Sequence, residues 1–158
     1  MNKYMALAIE LAESNLKTNA GGPFGAVVVK DGKIIGCGSN NVLKKHDPTA
    51  HAEIMAIRDA CKNIKSHDLQ GCELYTSCYP CPMCLSAIMW ANIKTVYYGN
   101  TKEDAKNIGF RDKFIYDYLQ RLGENKHNKK VLMLKPCDSE RTIKTFEKFL
   151  NKKNKIIY

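Results

Sequence analysis

Gly21-Gly22-Pro23-Phe24-Gly25-Ala26-Val27-Val28-Val29-Lys30-Asp31-Gly32-Lys33-Ile34-Ile35-Gly36-Cys37 reads as a chain stop, an apolar β-branched run, a two-residue turn and a second apolar run. Asp-Gly tolerates the left-handed backbone that a tight hairpin needs, so strands are predicted over 24–30 and 33–37. Upstream, Tyr4, Leu7, Ala8 and Leu11 fall at helical spacing, with Glu10, Glu13 and Lys17 off the stripe. That predicts an amphipathic helix over 2–19, ended by Gly21-Gly22-Pro23. Downstream, a polar loop over 40–48 leads to Thr49, which suits the cap of a helix over 50–63 with Ile54, Ile57 and Cys61 inward. A strand over 73–77, a helix from Pro80 or Cys81 to about 91 and a strand over 94–98 follow. The pattern then weakens: 102–107 and 112–122 read as helical, 125–130 as a polar loop, 131–134 as a fifth strand and 138–150 as a helix with Ile143, Phe146 and Leu150 on one face. A hairpin followed by alternating helices and strands implies a layered α/β domain with a mixed sheet.

The chain has 158 residues, the size of one domain, so 1–158 is expected to fold as a single unit. Hydrophobic residues make up 44% and charged residues 26%, ordinary globular usage that excludes a disordered or fibrous chain. No apolar stretch approaches the ~20 residues of a membrane span. Net charge is +9, and many of the lysines lie late, at Lys126, Lys129, Lys130, Lys144, Lys148, Lys152, Lys153 and Lys155. No arginine-rich or aromatic-interleaved stripe accompanies them, so a solvated surface is the preferred reading over a nucleic-acid footprint. The cysteines number seven, an odd count that argues against a disulfide framework and for a reducing cytoplasm. Cys37, Cys61, Cys72 and Cys137 read as small buried hydrophobes, and Trp90 as a core residue.

Two short segments carry the chemistry. His51-Ala52-Glu53 opens one predicted helix, and Pro80-Cys81-Pro82-Met83-Cys84 opens another. Cys81 and Cys84 are spaced to project from one helix face, at an N-terminus whose dipole favours thiolates. Two thiolates and an imidazole are a zinc donor set, and three protein ligands leave a fourth tetrahedral position open, as catalytic sites do. A Cys-x-x-Cys alone would also suit a redox pair, which has no need of a His-x-Glu partner. Glu53, beside such a site, is placed to move protons between water and a substrate nitrogen. Together, His-x-Glu and Pro-Cys-x-x-Cys form the known signature of zinc deaminases.

On these residues the chain resembles the cytidine deaminase-like superfamily, and most closely its bacterial guanine deaminases. The resemblance covers nearly the whole chain and is densest from Gly21 to Trp90. It includes Asn40-Asn41-Val42, the stretch from Asp47 to Glu53, Tyr75-Thr76-Ser77-Cys78 and Trp90-Ala91. Asp47 to Glu53 is equally similar to the tRNA adenosine deaminases. Gly109-Phe110-Arg111-Asp112, Phe114-Ile115-Tyr116 and the terminal Tyr158 resemble the guanine deaminase pattern.

The resemblance implies a three-layer α/β/α cytidine deaminase-like domain with a mixed five-stranded sheet. It implies Zn²⁺ on His51, Cys81 and Cys84, with Glu53 as the catalytic proton carrier. Asn40, Phe24, Ala52, Asp112 and Tyr158 are implied to contact a purine, most simply guanine, which would be hydrolysed to xanthine and ammonia. It further implies a homodimer, with a C-terminal segment open to exchange between copies and the tail over 151–158 closing the active site. The alternatives are a tRNA adenosine deaminase and an enzyme of guanosine or another aminopurine nucleoside. Two positions depart from the family pattern: Tyr79 stands where glutamate is usual, and Arg111 where an acidic residue is common.

Overall fold

A computed structural model describes residues 2–110, 112–124 and 131–156. The chain divides into two compact units, residues 1–117 and 118–158. The first holds helix α1 (Lys3–Ser14), a single 3₁₀ turn (Asn15–Lys17), strands β1 (Gly25–Lys30) and β2 (Lys33–Ser39), helices α2 (Val42–Lys45) and α3 (Ala52–Ile64), strand β3 (Cys72–Cys78), helix α4 (Pro82–Trp90), strand β4 (Thr95–Asn100) and helix α5 (Lys102–Asn107). Helix α6 (Lys113–Gly123) begins in it, and α7 (Ser139–Leu150) belongs to the second.

The sheet order is β2-β1-β3-β4, with β1 antiparallel to both neighbours and β3 parallel to β4. The mixed sheet is the one expected. Asp31 and Gly32 both take positive φ, 49° and 73°, in the two-residue turn that joins Lys30 to Lys33. Side chains alternate across β1 and β3. Val27, Val29 and Tyr75 face α1 with Ala8, while Ala26, Val28 and Leu74 face the cluster built on α3.

The fit of α3 on the sheet decides where the site's residues lie. Ala52, Ala56 and Ala60 form a ridge of small side chains at helical spacing, all fully buried. They meet two positions of β2 that have no side chain. A Cβ on Gly36 would come within 2.5 Å of the Ala56 carbonyl oxygen, and one on Gly38 within 2.4 Å of that of Ala52. Helix backbone therefore rests directly on strand backbone. Enlarging this ridge, as in Ala56→Leu, is expected to destabilise by about 1–3 kcal/mol through overpacking.

Several expectations are corrected. Among the described residues the sheet has four strands, not five. Among the described residues Val131 to Leu134 join no strand and are 43–64% exposed; an apolar run alone does not specify a strand. Thr49 does not cap α3: His51 is its N-cap, and the Thr49 hydroxyl and amide both donate to Asp47 instead. The first helix stops at Ser14 and passes into the 3₁₀ turn. Trp90 is 69% exposed at the end of α4, and Cys137 is exposed as well. Among the described residues, no helix is long and apolar enough to cross a membrane.

Candidate active site

The starts of α3 and α4 meet beside the C-terminal end of β3. His51 is the N-cap of α3 and Cys81 that of α4, and neither side chain caps its own helix. Pro82 occupies the first turn of α4, where its missing N–H costs nothing. Cys84 follows one turn on and is fully buried. His51 Nδ1 lies 3.6 Å from the sulfur of Cys81 and 3.6 Å from that of Cys84. The three donor atoms all fall within 4.8 Å of one another. Tetrahedral zinc with ordinary Zn–S and Zn–N bonds separates nitrogen from sulfur by about 3.5 Å, so the donor set fits that ion in kind and spacing.

Charge at this cluster follows from the pairing. Without metal, Cys81 is the thiolate: the Cys84 thiol hydrogen-bonds to it, His51 adds to the effect, and its pKa falls to about 4. The same pairing, together with burial, keeps the proton on Cys84. Hydrogen bonding to Cys81 in turn raises His51.

Glu53, in the first turn of α3, is buried beside the cluster. Burial pushes its carboxyl above the usual range. Its Oε1 lies 3.2 Å from the hydroxyl of Thr76, and its Oε2 lies 3.4 Å from the Cys84 sulfur.

A cavity of about 570 Å³ opens over these residues, with His51, Glu53 and Cys81 in its wall. Phe24, Asn40 and Asp112 line it too. Asn40 is 4% exposed and held on every side. Its amide nitrogen donates to the Phe24 carbonyl, its own carbonyl accepts from Asn15 Nδ2 at 2.8 Å, and its Oδ1 accepts from the Val42 amide at 3.2 Å. Gly21 packs on it so closely that a Cβ there would lie 2.0 Å from Oδ1. Asp112 is half-buried, and burial raises its carboxyl pKa.

The structure does not gather every expected residue. The Ala52 side chain packs in the core and does not line the cavity. Tyr158 and Arg111 lie outside the described residues. Phe110 and Tyr79 line the wall as well, with Tyr116 and Lys102 beside them. Phe110 stacks edge-on against Phe24, ring centroids 4.7 Å apart. Tyr116 donates its hydroxyl to the Pro80 carbonyl at 2.8 Å, tying the start of α6 to the turn before Cys81. Tyr79 lines the cavity as an aromatic wall, where the family pattern has a carboxylate. Lys102 Nζ sits 5.5 Å from the Tyr79 ring and 4.9 Å from the Tyr116 ring. Thr76 and Tyr116 fall in stretches that carry the family resemblance, but their partners, Glu53 and Pro80, and the link from Asn15 to Asn40, come from contacts between residues far apart in sequence.

Comparison with known proteins agrees with this geometry. Residues 1–100 match the family model described as the cytidine and deoxycytidylate deaminase zinc-binding region. Guanine deaminase of Bacillus subtilis (strain 168) is 50% identical over 123 residues, covering 78% of this chain and 79% of that protein. A tRNA-specific adenosine deaminase of Buchnera aphidicola subsp. Schizaphis graminum is 40% identical over 116 residues, covering 73% and 74%. The crystal structure of the Bacillus subtilis guanine deaminase superimposes with a TM-score of 0.90 at 43% identity, covering 100% of this chain and 99% of that one. The guanine deaminase from Nitrosomonas europaea superimposes with a TM-score of 0.65 at 34% identity, covering 69% and 63%. With its His-x-Glu and Pro-Cys-x-x-Cys segments brought into one pocket, the chain belongs to the cytidine and deoxycytidylate deaminase family of zinc-dependent hydrolytic enzymes.

Proposed function

We propose that the chain hydrolyses guanine to xanthine and ammonia. The observation that carries this reading is the likeness to the Bacillus subtilis guanine deaminase, which runs over the whole chain and so includes the residues beyond 100. Polarity in the cavity agrees. Asn40 offers an N–H₂ donor because its oxygen is taken by Val42, and Asp112 offers an acceptor. Guanine presents a carbonyl acceptor together with N–H donors, which suits both. The adenine ring of adenosine has no carbonyl and no ring N–H, and suits them less well.

His51, Cys81 and Cys84 hold zinc, which when bound supplies Lewis acidity that brings water closer to ionisation at neutral pH. Glu53 takes a proton from water as its oxygen adds to C2 of guanine, and passes that proton to the adjacent ring nitrogen. The second water proton goes by the same carboxylate to the amino group, the C2–N bond breaks, and ammonia leaves. Guanine and water thus balance xanthine and ammonia. Ala52 contributes through its backbone amide, one of the unpaired donors in the first turn of α3. Phe24 and Phe110 cover the ring and exclude water.

We also propose a homodimer in which the residues beyond Gly123 exchange between copies. Support comes from the second unit, whose Leu132, Met133, Phe146 and Leu150 are exposed. The described cysteines are free thiols, which suits the reducing cytoplasm.

The test offers zinc-loaded protein guanine, guanosine, adenosine, cytosine and an adenosine-bearing tRNA stem-loop in parallel, with ammonia release as the readout. Guanine alone should react. Activity confined to the stem-loop would overturn the guanine reading, and activity on guanosine would move the substrate to a nucleoside.

A further inference from the structure

The proton carrier itself needs an anchor. Glu53 is buried, and a carboxylate that must give and take protons works only if one of its oxygens is held toward the reacting atoms. Its Oε2 lies on the metal-ligand side, 3.4 Å from the Cys84 sulfur. Its Oε1 lies 3.2 Å from the hydroxyl of Thr76. Thr76 sits on β3, is 1% exposed, and is paired in the ladder with Ala26 on β1 and Tyr98 on β4. It is thus fixed from both sides by the centre of the sheet. The same hydroxyl lies 3.2 Å from the carbonyl oxygen of Cys78. One hydroxyl hydrogen therefore has two acceptors within reach.

We propose that Thr76 is the positioning residue for Glu53. It pins Oε1 and leaves Oε2 to face the site where protons are exchanged. The Thr76 hydroxyl donates to Oε1 from the fixed centre of the sheet, so the carboxyl is held in one orientation. Neighbouring Ser77 does not share this role, since its hydroxyl accepts from the Gly25 amide and secures β1 to β3.

This inference rests on the deaminase reading, and its test separates the two. Thr76→Val keeps the shape and removes the hydroxyl, whereas Thr76→Ser keeps the hydroxyl. With guanine as substrate, Thr76→Val should lower kcat by roughly 10- to 100-fold, the loss expected for a hydrogen bond to a charged group. KM should stay within about twofold, and zinc content should be unchanged. Thr76→Ser should recover most of the rate. Crystal structures give a second readout: the Glu53 carboxylate should rotate in Thr76→Val and keep its place in Thr76→Ser. If Thr76→Val does not fold, Thr76→Ala takes its place. Parental kcat in the valine variant, equal losses in valine and serine variants, or an unmoved carboxylate would each overturn the role of Thr76. No turnover of guanine by the parent protein would overturn the deaminase reading instead.

Discussion

The side-chain nitrogen of Asn15 bonds to two carbonyls at once, 2.8 Å from that of Gly22 and 2.8 Å from that of Asn40. A buried amide at the end of the first helix therefore closes the loop that carries the pocket's donor residue. Replacing it by alanine leaves two carbonyls short of a partner. Asn15→Ala is expected to destabilise by about 1–3 kcal/mol. In activity, KM for guanine should rise more than kcat falls, because Asn40 shifts while the metal cluster does not. Denaturant melts and steady-state kinetics on one preparation check both parts.

Gly21 gives a sharper test of the same wall. A methyl group there would overlap the Asn40 side-chain oxygen, so the loop or the amide must move. Gly21→Ala should weaken guanine binding by at least about tenfold, in line with a lost polar contact at a built site. The fold should persist, since the clash falls on the loop and not on the sheet. Calorimetric titration of the folded variant reads the affinity directly.

Thiol reactivity should report the metal cluster. Cys78 is buried, and desolvation, with the Glu53 charge adding to it, pushes its pKa up to about 11. It should resist iodoacetamide at pH 8, while the exposed Cys137 reacts first. Cys81 and Cys84 should be protected in the zinc-loaded protein. After chelation Cys81 should become reactive even near pH 6, because its thiolate persists down to about pH 4. Mass mapping of the alkylated peptides, with and without chelator, checks the order.

Asp47 sets an acid limb of stability. It accepts from the Thr49 hydroxyl at 2.7 Å and amide at 2.8 Å, and Arg58 lies 3.5 Å away. The Thr49 bonds, more than Arg58, hold its carboxyl below the usual range. A lowered folded pKa means the unfolded chain binds the proton first. The stabilisation is therefore complete above the unfolded value of ~3.9 and is lost as pH falls through the folded one. Melting temperatures of the parent and Asp47→Ala should differ at pH 6 and converge at lower pH.

The sequence was most legible where function and local geometry coincide. His51, Cys81 and Cys84 could be read because ligand chemistry demands those residue types, and because the spacing in Cys-x-x-Cys is that of one helix face. The Asp31-Gly32 turn could be read because few residue pairs tolerate two positive φ values. Thr49 misled for a physical reason: a hydroxyl that can cap a helix can equally answer a nearby aspartate, and Asp47 lay two residues away. Val131 to Leu134 misled because a short apolar run specifies neither strand nor partner. Asn15 stayed hidden, and Thr76 and Phe110 were marked only as parts of a family pattern, because each matters through a neighbour brought near only by folding. The guanine deaminase pattern pointed to Asp112, and that residue does line the cavity with Asn40.

The most direct measurement follows the ultraviolet spectrum of guanine mixed with zinc-loaded protein, alongside Glu53→Ala loaded with the same amount of zinc. Guanine should convert to xanthine with one ammonia released per ring. The variant should hold its metal and lose the rate by at least about 100-fold, the lower range for a general acid–base group. A Glu53→Ala protein that deaminates guanine at the parental rate would contradict the account, as would a zinc-loaded parent that leaves guanine unchanged.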